Sequence, residues 1–145
     1  MLYVITGPPA AGKSSWIQAH AGPQDIVIDL DRLAVSLTGP GAPQWNQHPT
    51  VLKVAHRARY AAIDEACQHL DTTDVYLIHT QPSPKHTAKY KRLNARIVVV
   101  DPGRDVVMQR IAAMRAPEMQ RVATRWYRQR RPQAQDVMPQ TSRQW

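Results

Sequence analysis

The sequence predicts a single α/β domain in which a parallel sheet of four to five strands is covered by helices on both faces. Two observations support this prediction. Short apolar segments alternate with segments of helical periodicity along most of the chain. Residues 96–101 form an apolar run without polar alternation, which is typical of a strand covered on both faces. The length of 145 residues suits one domain with a hydrophobic core and is too short for two ordinary domains.

The first third of the chain predicts two strands, a helix and a long loop. Residues 2–6 are apolar and β-rich, and residues 14–20 can continue as a helix. A Gly-Pro pair then precedes a second strand at residues 25–30. Residues 38–49 are rich in glycine and proline, and a loop of this length is more often functional than idle in a small domain.

The middle of the chain contains the longest predicted helix, residues 50–70. Apolar residues recur there at helical spacing, namely Val51, Val54, Ala55, Ala58, Ala62, Ala66 and Leu70. Most charged residues of this segment fall largely off that stripe, including Arg57, Arg59, Asp64 and Glu65. The pattern therefore predicts an amphipathic helix with its charges in solvent.

The remaining elements complete the alternation of strand and helix. A strand, a helix, a strand and two helices are predicted in that order, at residues 75–79, 85–94, 96–101, 104–115 and 117–131. The last segment, 132–145, is rich in glutamine and lacks a core pattern. We therefore expect a domain over residues 1–131 and a flexible C-terminal tail over residues 132–145.

Residues 7–14, Gly-Pro-Pro-Ala-Ala-Gly-Lys-Ser, match the phosphate-binding loop G-x-x-x-x-G-K-S/T at every fixed position. A predicted strand before the loop and a helix after it supply the expected context. Loop amides would bind phosphate oxygens, Lys13 would reach the β- and γ-phosphates, and Ser14 would bind Mg²⁺. This predicts a nucleoside triphosphate and Mg²⁺ as cofactors, and we expect ATP, although the loop alone leaves ATP and GTP open. The expected nucleotide contacts are Gly7, Pro8, Pro9, Ala10, Ala11, Gly12, Lys13, Ser14 and Ser15. The alternative is a glycine–proline turn with an incidental Lys-Ser pair.

Two carboxylates follow the second predicted strand. If the strand continues, Asp29 and Asp31 project to the same side, towards the γ-phosphate region. A carboxylate there can accept a proton from an attacking hydroxyl, or hold Mg²⁺ through water. For both residues the alternative is an Asp that caps the next helix, and Asp31 could do so for a helix that starts at Arg32.

The carboxyl ends of parallel strands meet at one edge of a sheet, and ligands bind there. Four segments should therefore come together at this edge, namely Gly7–Ser14, Asp29–Arg32, His79–Pro82 and Asp101–Arg104.

Charge is unevenly distributed along the chain, which carries a net +8. Residues before Lys85 contain five Lys/Arg and seven Asp/Glu, whereas the rest contains fourteen and four. A basic C-terminal half favours a polyanionic partner such as nucleic acid, and the alternative is a solvated basic face.

The one cysteine, Cys67, excludes an internal disulfide and is expected in the core. Because no secretory signal or membrane-length apolar run is apparent, we expect a cytoplasmic protein without a membrane partner.

Taken together, the loop, an Asp after the second strand, a polar end to the third strand and two arginine-rich helices resemble the small P-loop kinases. The branch concerned includes the 5′-kinase domain of phage polynucleotide kinase, the zeta toxins and chloramphenicol phosphotransferase. The resemblance covers roughly residues 1–130. It implies a P-loop NTPase fold, transfer of the γ-phosphate to a hydroxyl of nucleic acid or a nucleotide, and a phage origin.

The resemblance also implies roles around the acceptor. Asp31 matches the Asp that activates the acceptor hydroxyl. In polynucleotide kinases an Arg three residues beyond that Asp binds the acceptor's phosphate, but Ala34 stands there in this chain. Arg32, or an Arg from residues 57–59, is the candidate replacement.

The third predicted strand departs from the family as well. It ends in His79-Thr80-Gln81, where the family often has a carboxylate that holds Mg²⁺ through water. A neutral His79 can hydrogen-bond the same water, or it can simply pack under the loop. Metal would otherwise be held by Ser14, phosphates, water and Asp29 or Asp31. Thr80 and Gln81 are candidate substrate contacts.

In these kinases a lid between two helices places an Arg on the transferred phosphoryl group. Arg115 is the first candidate here and Arg110 the second. Arg121, Arg125 and Arg128 share one helical face, which is either a phosphate channel or a solvated surface. Two aromatic positions have two interpretations each: Trp45 stacks on a base or packs on helix 50–70, and the Trp126–Tyr127 pair packs in the core or stacks on adenine.

Two other functions remain open from the sequence. One is a small-molecule kinase acting on a nucleoside, sugar or antibiotic. The other is a nucleotide-binding ATPase module that acts on DNA without phosphotransfer, which the missing carboxylate at His79 favours. For the kinase interpretation, the acceptor is a 5′-hydroxyl end or a hydroxymethylated base, and the oligomeric state stays open.

Overall fold

The computed structural model describes residues 1–44, 46–114, 116–130 and 139–140. Within these residues the chain is an α/β protein with a parallel sheet, as the sequence predicts. The strands are β1 (Leu2–Thr6), β2 (Ile26–Ile28), β3 (Val75–Ile78), β4 (Arg96–Val100) and β5 (Pro139–Gln140). The helices are α1 (Lys13–His20), α2 (Leu30–Ser36), α3 (Pro49–Ala66), α4 (Pro84–Arg92), α5 (Arg104–Ala113) and α6 (Pro117–Gln129).

The sheet has the strand order β2-β3-β1-β4-β5. β1 is central and pairs in parallel with β3, where Val4 aligns with Leu77, and with β4, where Val4 aligns with Ile97. The chain therefore leaves β1 towards one side of the sheet and later returns to the other side. Such a change of direction opens a crevice at the carboxyl ends of the strands, where α/β proteins bind ligands.

Helices cover both faces of the sheet, and each face has its own hydrophobic cluster. On one face Leu2, Val4 and Leu77 pack with Ile63 of α3 and Tyr90 of α4. On the other face the partners come from α1 and the sheet, namely Ile5, Trp16, Ile17, Val98 and Val100. This confirms the prediction of a sheet covered on both faces.

A third cluster joins the last two helices to the loop after β1. Val107 and Ile111 of α5 pack with Ala123 of α6, and Ala10 lies against them. The arginine-rich helix pair is thereby held beside the phosphate-binding sequence.

The segment after β2 differs from the prediction. β2 ends at Ile28 and α2 begins at Leu30, so the strand predicted over residues 25–30 is too long. Asp29 is the N-cap of α2, and its side chain accepts a hydrogen bond from the Asp31 backbone N–H. The predicted capping of a helix at Arg32 by Asp31 is therefore wrong, because the helix starts two residues earlier.

The stripe predicted for α3 is also partly wrong. Val54 is half exposed, whereas Arg59 is only 6% exposed. The buried residues of α3 are Ala55, Arg59, Ile63 and Ala66, which recur at intervals of three and four. Arginine thus occupies a core-facing position that a hydrophobicity pattern assigns to solvent.

The other element ends lie within a few residues of the predicted ones. The predicted loop 38–49 is confirmed over residues 38–44 and 46–48, and His48 caps α3. Cys67 is half-buried against the hydrophobic cluster that contains Ile63 and Tyr90, and burial raises the pKa of its thiol. The predicted tail 132–145 lies outside the described residues except at 139–140, which pair with Val99 and Val100. No helix in the described part of the chain is long and apolar enough to cross a membrane.

Gly7 fixes the turn from β1 into the following loop, and we expect Gly7→Ala to destabilise the protein. Its φ is +144°, and a Cβ atom would lie 2.2 Å from the Val100 carbonyl oxygen. Because the obstacle is backbone, the expected loss is about 2–4 kcal/mol of unfolding free energy, measured by denaturant titration. Gly39→Ala is the control, since nothing lies within 4 Å of that Cβ. Equal stability of the two variants would contradict this account of Gly7.

Candidate functional site

The loop between β1 and α1 has a tightly curled backbone. Three of its residues have positive φ, namely Gly7 (144°), Ala10 (59°) and Gly12 (99°), so the backbone curls back on itself. Gly12 is the N-cap of α1 and supplies no side-chain hydrogen bond, and the first turn contains no acidic residue. The N-terminal N–H groups of α1 therefore have no side-chain acceptor at the cap, and the helix dipole favours a negative charge there.

The side chain of Lys13, the first residue of α1, contacts this loop. Its Nζ donates to the carbonyl oxygens of Gly7 (3.0 Å) and Pro8 (2.6 Å). The side chain is buried, and this burial lowers the Lys13 pKa to about 8 although Asp31 and Asp29 oppose the shift. The ammonium group is thus held at the loop by carbonyls that an anionic ligand can replace.

Asp29 connects α1 to α2 at the edge of the sheet. One carboxylate oxygen accepts from Ser14 Oγ at 3.2 Å, and the other accepts from the Asp31 N–H at 3.0 Å. The predicted metal pair, Ser14 and Asp29, is therefore in direct contact. Among the described residues no group of three or more His, Cys, Asp or Glu side chains could hold a metal by itself. A cation here would need hydroxyl, phosphate and water oxygens, which suits Mg²⁺.

Asp31 lies at the start of α2, on the same side as Lys13. The residue is exposed overall and lines a cavity. Partial burial raises the pKa of this carboxyl, the negative charge of Asp29 raises it further, and Lys13 lowers it. A carboxyl with a raised pKa beside a phosphate-binding loop is a candidate general base.

A cavity of about 570 Å³ joins these groups. Its walls include the loop from Pro9 to Ser15, the segment Asp29–Asp31, three residues of α3 and the end of β3, with Thr80 and Gln81. Three of the four segments expected at this edge thus line one cavity, and Asp101–Arg104 does not. Arg32 is exposed and does not line it, so the structure does not bring this predicted substrate residue to the site.

His79 at the end of β3 is buried and neutral. Its Nδ1 is 2.9 Å from the Tyr90 hydroxyl. Burial lowers the His79 pKa to about 3, with further contributions from the positive charge of Arg59 and from His86. The ring lines the cavity, but it supplies neither a positive nor a negative charge there.

Three residues of α3 line the cavity, namely His56, Arg59 and Tyr60. The sequence pattern did not predict a role in the site for any one of them. Arg59 Nη2 donates to the Ile78 carbonyl oxygen at 2.8 Å, and the guanidinium lies 5.7 Å from the centre of the Tyr60 ring. The spacing of Arg59 from Ala55 and Ile63, four residues in each direction, was the signal available in the sequence.

The α5–α6 pair reaches the loop through one predicted arginine. Arg110 Nη1 donates to the Ala10 carbonyl oxygen at 3.0 Å. Arg115, the first candidate for the lid arginine, lies outside the described residues, as does Trp45.

The aromatic and arginine residues predicted on the last helix have structural contacts or are exposed. Tyr127 and Arg130 both bind Asp101, at 2.7 and 2.8 Å, and Trp126 is buried beside Arg130. Packing thus accounts for the Trp126–Tyr127 pair. The predicted surface arginines are exposed, namely Arg121, Arg125 and Arg128.

Neither the comparison with protein-family models nor the search of curated proteins finds a match to this chain.

Proposed function

We propose that this protein has a P-loop NTPase fold and is an ATP-dependent kinase that phosphorylates a hydroxyl of nucleic acid or a nucleotide. One observation carries the proposal. A phosphate-binding loop with its lysine and a carboxyl group of raised pKa line the same cavity. A kinase needs both at one place, because donor phosphate and acceptor hydroxyl must meet in line.

The donor side is formed by the loop and α1. Loop amides and the α1 N-terminus would bind the β- and γ-phosphates of ATP, and Lys13 would exchange its carbonyl partners for phosphate oxygens. Ser14 and Asp29 are the residues that would hold Mg²⁺, which neutralises charge on the phosphates when bound. Arg110 supports the loop at Ala10 and supplies positive charge nearby.

The acceptor side is formed by Asp31. Its carboxylate would accept the hydroxyl proton as the acceptor oxygen attacks the γ-phosphorus. The bond from that phosphorus to the β,γ-bridging oxygen then breaks, and ADP leaves. The excess of basic residues after Lys85, with Arg121, Arg125 and Arg128 exposed on α6, supports a nucleic acid or nucleotide as the acceptor.

A second candidate function is a nucleotide-binding ATPase module that acts on DNA without phosphotransfer. The neutral His79 favours it, because the site then has one carboxylate fewer than the kinases that the sequence resembles. The fate of the γ-phosphate distinguishes the two functions.

The test is transfer from γ-labelled ATP to a panel of acceptors. Oligonucleotides with 5′-hydroxyl ends, DNA with hydroxymethylated bases, nucleosides, sugars and an aminoglycoside form the panel. Label on a nucleic acid or nucleotide supports the proposal. Label on a small neutral acceptor alone would support a small-molecule kinase, and release of inorganic phosphate alone would support the ATPase module.

The pH dependence of ATP affinity reports on Lys13. Since its pKa is about 8 in the unliganded protein and phosphates favour the charged form, affinity should be constant below about pH 8. Above it, affinity should fall by up to about tenfold per pH unit. Isothermal titration with Mg-ATP measures this, and Lys13→Arg, which stays charged, should lose the dependence. If the ATP affinity of the parent protein stays constant from pH 8 to about two pH units higher, Lys13 does not bind the phosphates through its charge.

A further inference from the structure

A second cavity, of about 360 Å³, lies next to the cavity at the phosphate-binding loop. It is lined by residues of α4, the end of α6 and the strands β1 and β4. Thr80 and Gln81 line both cavities, so the two spaces share a wall just after β3. Among the described residues, none from the loop or from α1 lines the second cavity. It is therefore separate from the site proposed for the donor phosphates.

The walls of the second cavity favour a neutral ligand. Ile97 and Val99 of β4 and Trp126 of α6 give it apolar surface. Arg130 is the one charged side chain among the described lining residues. Its charge is compensated by Asp101, which accepts a hydrogen bond from Arg130 Nη1 at 2.8 Å. A charged ligand would lose hydration in this cavity without gaining an opposite charge.

The polar groups of the second cavity are carboxamides and hydroxyls. Gln81 Nε2 donates to Gln129 Oε1, which joins the end of β3 to the end of α6. A carboxamide has two N–H donors and two acceptor positions, so both side chains keep groups that a ligand can use. The Tyr90 hydroxyl, in contrast, is paired with His79. Adjacent donors and acceptors of this kind match the edge of a nucleobase, which carries the same groups side by side.

We infer that the second cavity binds a nucleobase of the acceptor. A base is planar and neutral, and its apolar faces and polar edge suit the apolar walls and the carboxamides of this cavity. The volume lies within the range of about 300–1,000 Å³ that is typical of small-molecule sites. The assignment to the acceptor rests on the proposed kinase function, because Asp31 lines the loop cavity with which the second cavity shares Thr80 and Gln81. Acceptors that carry a base should therefore be preferred to sugars that lack one.

The first experiment measures the binding of uncharged probes while Mg-ADP saturates the donor site. The probes are adenosine, guanosine, cytidine and thymidine, with 2-deoxyribose as the probe that lacks a base. By isothermal titration, at least one nucleoside should bind saturably with a Kd below about 1 mM, and deoxyribose at least about tenfold more weakly. Absence of saturable nucleoside binding up to about 10 mM, or equal binding of deoxyribose, would overturn the inference.

Two variants test whether the nucleoside occupies this cavity. Thr87→Phe places a large side chain in the cavity and should weaken binding at least about tenfold. Gln129→Leu removes one carboxamide and should weaken binding about 5–10-fold. The matched controls are Ala88→Phe on α4 and Gln120→Leu on α6, because both residues are exposed and do not line the cavity. Unchanged binding in both cavity variants, or an equal loss in their controls, would overturn the assignment.

Titrations with and without Mg-ADP decide which substrate supplies the base. The nucleoside affinity of the parent protein should differ less than about threefold between the two conditions, since the donor phosphates bind elsewhere. Displacement of the nucleoside by Mg-ADP would show that the cavity holds the base of the donor, which would overturn the assignment to the acceptor.

The transfer assay then connects the second cavity to the reaction. Thr87→Phe should raise the KM for a nucleotide acceptor at least about tenfold and leave the KM for ATP within about twofold. An unchanged acceptor KM would overturn the inference. Absence of label transfer to every acceptor would refute the kinase function, whereas the nucleoside titrations without Mg-ADP would still decide whether the second cavity is a nucleobase site.

Discussion

Lys13→Met is expected to abolish the stabilisation that Mg-ATP gives to the parent protein and to reduce γ-phosphate transfer at least about 10²–10³-fold. Methionine keeps a long apolar side chain but removes the ammonium group through which the Lys13 side chain would bind the phosphates. Its Nζ lies against the Gly7 and Pro8 carbonyls at the loop, so no neighbouring cation occupies the same place in the described structure. Thermal shift with and without Mg-ATP measures the first effect, and label transfer measures the second.

The same variant should be more stable than the parent when no ligand is present. Burial lowers the Lys13 pKa from 10.5 to about 8, so the unfolded chain binds more protons between these pH values. Below about pH 8 the buried ammonium therefore opposes folding, by up to about 3 kcal/mol, and the penalty is relieved as the pH rises through that range. Lys91→Met, on the exposed side of α4, is the control for loss of a lysine. An ATP-induced Tm rise in Lys13→Met equal to that of the parent would contradict the assignment.

Asp31→Asn is expected to lower the rate of transfer by about 10²–10⁴-fold while changing ATP affinity less than about threefold. Asparagine keeps the shape of the side chain but cannot accept the acceptor's proton. The carboxyl lines the cavity but accepts no hydrogen bond from the loop, so donor binding should persist. Single-turnover transfer and isothermal titration measure the two quantities separately.

The pH dependence of phosphate transfer also tests the role of the Asp31 carboxyl group. Because burial and Asp29 raise the Asp31 pKa above 3.8, activity should rise with pH through this higher pKa as the carboxyl ionises. The activity of Asp31→Asn should not show this rise with pH.

Asp29→Asn should behave differently, because Asp29 contacts Ser14 and caps α2. This substitution should weaken both Mg²⁺-dependent nucleotide binding and the stability of the protein. Asp71→Asn, exposed and remote from the cavity, is the control, and a loss of transfer there equal to that in Asp31→Asn would contradict the role of Asp31.

Much of the fold could be predicted because its signals are local. The first strand, the loop and α1 follow from an apolar run, two glycines and a helical segment, and β1 covers the predicted residues 2–6. The apolar run at 96–101 likewise indicates a strand covered on both faces, and β4 occupies Arg96–Val100. These elements depend on properties of consecutive residues, which a sequence contains directly.

Other features depend on contacts between distant residues. Asp29 caps α2 and also accepts a hydrogen bond from Ser14, fifteen positions away. Arg59 is buried, and its Nη2 donates to the Ile78 carbonyl oxygen, nineteen positions away. Charged residues on an amphipathic helix are usually exposed, so pattern alone assigned Arg59 to solvent. The loop of the candidate site was therefore predicted from the sequence, whereas the burial of Arg59 in the cavity wall was not.

If the cavity transfers the γ-phosphate of ATP to an acceptor hydroxyl, a single turnover of γ-labelled ATP with a hydroxyl acceptor should place most of the label on the acceptor with the parent protein. Transfer should be lost with Lys13→Met and Asp31→Asn. The measurement follows label in the acceptor and in inorganic phosphate. Label that appears only as inorganic phosphate, at a rate unaffected by the acceptor or by Asp31→Asn, would contradict the proposed kinase function.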